Sequence, residues 1–207
     1  EDLQVCDLAD ELYSRTGADA LFATSGSTVT WQRAVLLPYV VRVGDRTHVQ
    51  VVAVRGGEIQ WLSDPLVGPQ GVLLDETTLA LWDGRLVANC RLQGFEGRGS
   101  GARYLAWGDG HSWNGGQLWD CEDPGCNAKQ VADFFIHPHS LSSRRAGSVL
   151  RLTPPWEGSV RAEAVAALDG GEFGYSDVCV RGDEVVVVFE RERGLWEVVV
   201  PRYELLP

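Results

Sequence analysis

Trp107-Gly108-Asp109-Gly110-His111-Ser112-Trp113 is a polar turn closed by tryptophan, and its partial recurrence decides between the two architectures open to this chain. Arg55-Gly56-Gly57-Glu58-Ile59-Gln60-Trp61 keeps the spacing of glycine and tryptophan, while Leu152-Thr153-Pro154-Pro155-Trp156 keeps little beyond the tryptophan. Outward from these turns the pattern is almost wholly β. Apolar runs Ala34 to Val43, Val49 to Val54, Thr77 to Trp82, Leu86 to Cys90, Val149 to Leu152, Val178 to Val180, Val185 to Phe189 and Trp196 to Val200 are separated by Gly, Asp and Asn turns. Helical periodicity is confined to Cys6 to Tyr13. Tight turns such as Val43-Gly44-Asp45 and Trp82-Asp83-Gly84 join strands into an antiparallel meander, and no βαβ spacing supports a parallel sheet. A sandwich with unrelated core tryptophans and a β-propeller remain. Eight tryptophans, several of them closing such turns, favour the propeller, in which each blade carries one aromatic plug. A four-stranded blade takes about 40 to 50 residues, so residues 1–207 are expected to form one domain of about four blades.

Composition narrows the function before any motif does. With 44% hydrophobic and 23% charged residues the chain can bury a sizeable core and is neither disordered nor a membrane span. A net charge of −11 argues against nucleic acid or an anionic membrane surface as partner, because both reward clustered Lys and Arg. Five cysteines, an odd number, do not make a disulfide framework. Cys121 and Cys126 can either pair across Glu122-Asp123-Pro124-Gly125 or stay as buried thiols, so the redox compartment stays open. The sequence has no signal peptide, no apolar run of membrane length and no methionine, which predicts that something precedes Glu1.

Gly174-Tyr175-Ser176-Asp177-Val178 through Val188-Phe189-Glu190 reads as one hairpin turned at Gly182-Asp183, with Tyr175 and Glu190 at its two open ends. This string resembles the tyrosine strand of the sialidase (neuraminidase) family, bacterial exo-α-sialidase type. The turn at Trp107 to Trp113 is similar to the family's Asp box, one residue shorter, and keeps its Asp, Gly, Ser and Trp. Ala20-Leu21-Phe22-Ala23-Thr24-Ser25-Gly26-Ser27 resembles the segment that follows the second blade of such enzymes, and the resemblance runs from there to Glu190. It implies an all-β, six-bladed sialidase-type propeller of which this chain supplies about four blades. The first two blades, with an Arg-Ile-Pro strand and a loop bearing a catalytic aspartate, are not in the sequence. A secreted or cell-surface setting is implied as well.

The resemblance implies the roles of five residues. Leu74-Asp75-Glu76-Thr77 with Asp83 to Arg91 resembles the strand pair that supplies a glutamate base, Glu76, and a substrate-carboxylate clamp, Arg91. His137-Pro138-His139-Ser140 leading to Arg144-Arg145-Ala146 resembles the segment that carries the next arginine, and Arg145 is favoured over Arg144, since only one of two strand neighbours can face the ligand. Tyr175 becomes the nucleophile of a retaining mechanism, and Glu190 the support of the triad's N-terminal arginine, which this chain lacks. Chemistry independently favours that set. Sialic acid carries a carboxylate at its anomeric carbon, so planar guanidinium groups suit it and a neutral nucleophile escapes the repulsion a carboxylate would feel. Taken one at a time, each residue also fits a plainer role, as a surface ion pair or half-buried packing. Their shared order is the stronger signal.

No metal or cofactor is expected. His137 and His139 lie two apart, but Pro138 is expected to break the strand and no Cys or carboxylate at ligand spacing completes a set. Glu96-Gly97-Arg98-Gly99-Ser100-Gly101 is Gly-rich without a following helix, hence a loop and not a phosphate cradle. Two functions stay open. One is an exo-α-sialidase acting on sialoglycoconjugates, completed by the missing N-terminal segment or by self-association. The other is a non-catalytic carbohydrate-binding or structural propeller fragment. Linkage preference and the choice of transfer over hydrolysis are not legible.

Overall fold

A computed structural model describes residues 5–69, 72–93, 101–192 and 194–201, so the glycine-rich run 96–100 lies outside the described residues. One helix, α1 (Ala9–Thr16), precedes the strands. It begins three residues later than the apolar pattern predicts and ends at Gly17, whose left-handed φ of 64° lets its N–H reach Tyr13 O at 2.9 Å.

The first sheet contains β1 (Ala20–Ala23), β2 (Val29–Trp31), β3 (Ala34–Val43), β4 (Arg46–Arg55) and β5 (Glu58–Leu62). β1 and β2 pair with opposite ends of β3, so together they form one interrupted inner strand. Three further antiparallel meanders follow: β6 (Leu73–Trp82) to β7 (Arg85–Gln93), β8 (Ala102–Gly108) and β9 (Trp113–Asp120); β10 (Lys129–Val131) to β11 (Phe134–Pro138), β12 (Arg145–Leu152) and β13 (Ala162–Glu172); β14 (Ser176–Arg181) to β15 (Glu184–Arg191) and β16 (Gly194–Pro201). Asp83 and Gly84 take φ of 47° and 71°, the left-handed pair that a two-residue hairpin needs to follow strand twist.

Three successive cores exclude a sandwich, which has one. Leu36, Val51 and Ala53 of the first sheet meet Leu79, Leu86 and Ala88 of the second. Val87, Leu105 and Trp119 on the second sheet's other face meet Phe135, Leu150 and Leu152 of the third. Phe134, Ile136 and Val149 then meet Val185, Val187 and Phe189 of the fourth. A strand with two-residue periodicity that is apolar on both faces reads as an unbroken hydrophobic run, which is why β7, β11 and β15 carry one. Each of these side chains contributes about 1.5–3 kcal/mol on burial. Inner strands contact inner strands, β2 with β6, β6 with β10 and β10 with β14, so the sheets are arranged radially as four propeller blades.

Tryptophan closes the turn between β8 and β9 from a neighbouring blade. Asp109 Oδ1 accepts from the N–H groups of His111 (2.9 Å) and Ser112 (2.8 Å). Trp31 donates its indole N–H to Asp109 O at 3.1 Å, and Trp61 donates to Gly110 O at 3.3 Å. Trp113 returns the contact by donating to Asp64 O at 3.0 Å. The aromatic plug is thus shared between blades.

One expectation needs correction, and one open alternative is decided. Pro138 does not break its strand: it ends β11 opposite Gly147 of β12. Cys121 and Cys126 are free thiols, as are Cys6, Cys90 and Cys179. Among the described residues no helix is long and apolar enough to cross a membrane.

Candidate active site

A bulge assembles the centre of the site. Leu74 pairs with Leu92 and Thr77 with Cys90, so two residues, Asp75 and Glu76, stand opposite the single Arg91. In a regular strand Asp75 and Glu76 would face opposite ways. Here both carboxylates meet the guanidinium: Arg91 Nη1 is 2.6 Å from Glu76 Oε2 and 3.8 Å from Asp75 Oδ2. Glu76 is only 5% exposed, and its other oxygen accepts from the Ser25 hydroxyl at 3.3 Å. Burial works against the charge of Arg91, yet Glu76 and Asp75 outweigh it and hold its pKa above the ordinary value. Arg91 Nε is buried without a hydrogen-bond partner.

Tyr175 enters from the fourth blade, one residue before β14. It is half-buried, fixed by its carbonyl accepting from Glu190 N at 2.8 Å, while Gly174 N donates to Glu190 O at 2.7 Å. Burial and the interaction of its hydroxyl with Glu76 raise the phenol pKa, and Arg144 and Arg91 pull the other way. The resting group is therefore a neutral phenol whose hydroxyl faces a carboxylate. Arg144, not Arg145, places its guanidinium over the Tyr175 ring, 4.9 Å from the centroid. Arg145, the member of the doublet favoured from the sequence, begins β12, paired with Glu172, whereas Arg144 sits in the turn before it. Both line a cleft of about 690 Å³ with Glu172, Glu190, Arg191 and Glu192, beside Tyr175. Arg144 and Arg145 have no ion pair among the described residues, whereas Arg191 is held by Asp169 at 2.7 Å. Glu190 is exposed, at the cleft rim, with no cation paired to it among the described residues.

Lys129 of β10 lies beside these residues although no motif in the sequence marks it. It is 3% exposed, donates to Ser25 O, and lies 3.7 Å from Asp177 Oδ1. Burial lowers its pKa against the opposing pull of Asp177. It anchors the segment between β1 and β2 against the third blade, and that segment presents the Ser25 hydroxyl to Glu76.

Behind these residues runs a buried polar line. Arg103 is wholly buried, donating to Asn89 Oδ1 (2.6 Å), Asp123 Oδ2 (3.0 Å) and Cys126 O (3.2 Å). Asp123 loses solvation there, but Arg103, His137 and backbone N–H groups more than compensate and bring its pKa down to about 2. The two histidines read from sequence also acquire company: Cys121, Asp123 and His137 offer a sulfur, a carboxylate oxygen and a ring nitrogen within 4.8 Å of one another. Cys121 and Asp123 come from the connection before β10, outside any local ligand spacing.

Tyr175, Glu76, Arg91 and Arg144 thus form a proton-accepting pair under two guanidinium groups, suited chemically to an anionic ligand and to nucleophilic attack by a phenol oxygen. No family model matches the sequence, and no curated protein matches it. Among solved structures the chain is similar to "A subtype N10 neuraminidase-like protein of A/little yellow-shouldered bat/Guatemala/060/2010", with a TM-score of 0.60 at 9% identity over 87% of this chain. A second likeness, to a beta-1,2-mannobiose phosphorylase from Listeria innocua, has a TM-score of 0.43 at 12% identity over 89% of this chain. The chain spans 65% of the length of the first and 59% of the second. At 9% identity the first likeness speaks to fold alone, and on the fold it agrees with the strand topology: this is an all-β chain in four propeller blades, similar to a neuraminidase propeller.

Proposed function

We propose that the chain is the larger part of a retaining exo-α-sialidase whose ring is completed by an N-terminal segment or a further polypeptide. The observation that carries the reading is the convergence of Tyr175 on Glu76 beneath Arg144 and Arg91, from three different blades. Arg91 and Arg144 hold the substrate carboxylate. Glu76 takes the phenol proton as the Tyr175 oxygen bonds to the anomeric carbon, and the aglycone oxygen leaves with a proton from an acid outside this sequence. Water then cleaves the glycosyl-tyrosine with net retention. The substrate is a terminal sialic acid of a glycoconjugate, and neither nucleic acid nor membrane is a partner. In this reading the turn from Gly108 to Trp113 is a shortened Asp box.

The test joins the chain to its upstream blades and supplies a fluorogenic sialoside, then a difluorinated sialic acid. Turnover with a covalent adduct on Tyr175, located by peptide mass spectrometry, is expected. Turnover with an adduct elsewhere removes the nucleophile assignment. Saturable sialic acid binding without turnover replaces the enzyme with a carbohydrate-binding propeller.

A further inference from the structure

We propose that Cys121, Asp123 and His137 bind one zinc-class divalent cation at the junction of the second and third blades. Cys121 immediately follows β9, Asp123 lies two residues on, and His137 reaches them from β11. Their donor atoms lie within 4.8 Å of one another.

His137 gives the independent pointer. The residue is wholly buried and its Nδ1 has no hydrogen-bond partner. That atom faces Asp123 Oδ2 at 3.7 Å, too long for a hydrogen bond. The other ring nitrogen is engaged, with Nε2 3.2 Å from His139 Nδ1, and His139 Nε2 in turn 3.7 Å from Glu122 Oε2. The contact with His139 admits either tautomer, and in the one that carries its proton on Nε2, donated to His139, a lone pair on Nδ1 is directed at a carboxylate. A buried lone pair opposite an anion is unfavourable unless a cation lies between them. Tetrahedral zinc with nitrogen and oxygen ligands near 2.0 Å needs these two about 3.3 Å apart, a closure of a few tenths of an ångström, and needs the sulfur about 3.5 Å from each, so the larger movement falls on Cys121, which now lies within 4.8 Å of both.

The donors choose the metal. Sulfur, imidazole and carboxylate suit zinc, while calcium and magnesium take oxygen shells. The outer contacts also fit a ligand set: Arg103 and two backbone N–H groups orient the carboxylate, and the His139–Glu122 pair orients the imidazole. Binding converts the Cys121 thiol to a metal-bound thiolate and releases one proton to solvent. Asp123 and neutral His137 bind without changing protonation. Cys121, half-buried, is the least enclosed of the three ligands. The bound ion would tie the connection before β10 to β11. That connection carries Asn127, which donates to Ser25 O at 3.3 Å, and leads into Lys129. Metal would stiffen the wall behind Ser25 and Glu76, whatever reaction they serve.

The purified protein, stripped by chelator, reloaded with zinc sulfate and desalted, is expected to retain one zinc per chain and to melt at a higher temperature. Cobalt in its place should give a thiolate-to-metal charge-transfer band. Cys121→Ser should lose both the band and the zinc, whereas the double variant Cys6→Ser/Cys179→Ser, at the exposed thiols, should keep them. No retained zinc overturns the proposal, and so does a cobalt band that survives in Cys121→Ser or disappears with the exposed thiols. The wild-type cobalt spectrum is diagnostic even if a variant folds poorly.

Discussion

At the scale of residues, the structure separates two adjacent arginines by what each touches. Arg144→Ala is expected to raise KM for a sialoside at least about tenfold, the value of a lost charge-assisted hydrogen bond, with Arg145→Ala within about threefold of wild type. Steady-state kinetics on the ring-completed protein checks both. Equal losses would return Arg145 to the tyrosine. Glu76→Gln keeps shape and removes the base, for an expected loss of about 10²–10⁴ in kcat. Asp123 supplies a pH dependence. Its folded pKa, about 2, is below its unfolded value, so its stabilisation is complete above about pH 4 and disappears as pH falls through 2. Denaturant unfolding of wild type and Asp123→Asn should converge by roughly 2–3 kcal/mol between pH 5 and pH 2. Glu76, Arg91 and Tyr175 were legible in the sequence because each sits in a string with a recognisable order. Which arginine of the doublet meets the Tyr175 ring was not, since a doublet at the start of a strand does not reveal which residue is still in the turn. Lys129 was illegible for another reason: an isolated lysine in a polar stretch reads as surface, and only the third dimension buries it against Ser25.

Elements were read best where both faces are buried. The runs forming β3, β4 and β7 lie between two cores and stand out as continuous apolar strings. β13 did not, because Ala-Glu-Ala-Val-Ala-Ala is half-exposed, alanine-rich and interrupted by register shifts against β12. The bulge at Asp75 and Glu76 has no marker such as glycine, yet it alone brings both carboxylates to Arg91. Glycine is demanding where backbone approaches backbone. A Cβ on Gly26, between β1 and β2, would stand 1.6 Å from Thr77 O, whereas at Gly182, φ 61°, it would meet nothing within 4 Å. Gly26→Ala is therefore expected to cost about 3 kcal/mol and to displace Ser25 from Glu76, and Gly182→Ala about 1–2 kcal/mol from backbone strain alone. Chemical denaturation ranks the two. A larger loss at Gly182 would contradict the packing of this segment against β6.

For the whole molecule, four blades leave two flanks without a neighbouring blade. On the first blade α1 lays Leu8 and Leu12 across Val52, Val54 and Ile59. On the fourth, Leu195 and Val199 stay exposed at 75% and 40%. Apolar sheet faces of this kind favour association. Sedimentation of the isolated chain should show concentration-dependent oligomers that upstream blades suppress, and a concentration-independent monomer would oppose this. The tryptophan-closed turn has a further consequence, in time as well as space. Trp31 and Trp61 leave the ribosome before the Asp109 and Gly110 carbonyls that accept their indole N–H groups, so the nascent first blade waits with unmatched donors until its successor is synthesised. Docking of the second blade is what satisfies both donors, and Trp113, donating to Asp64 O, closes the same seam from the other side.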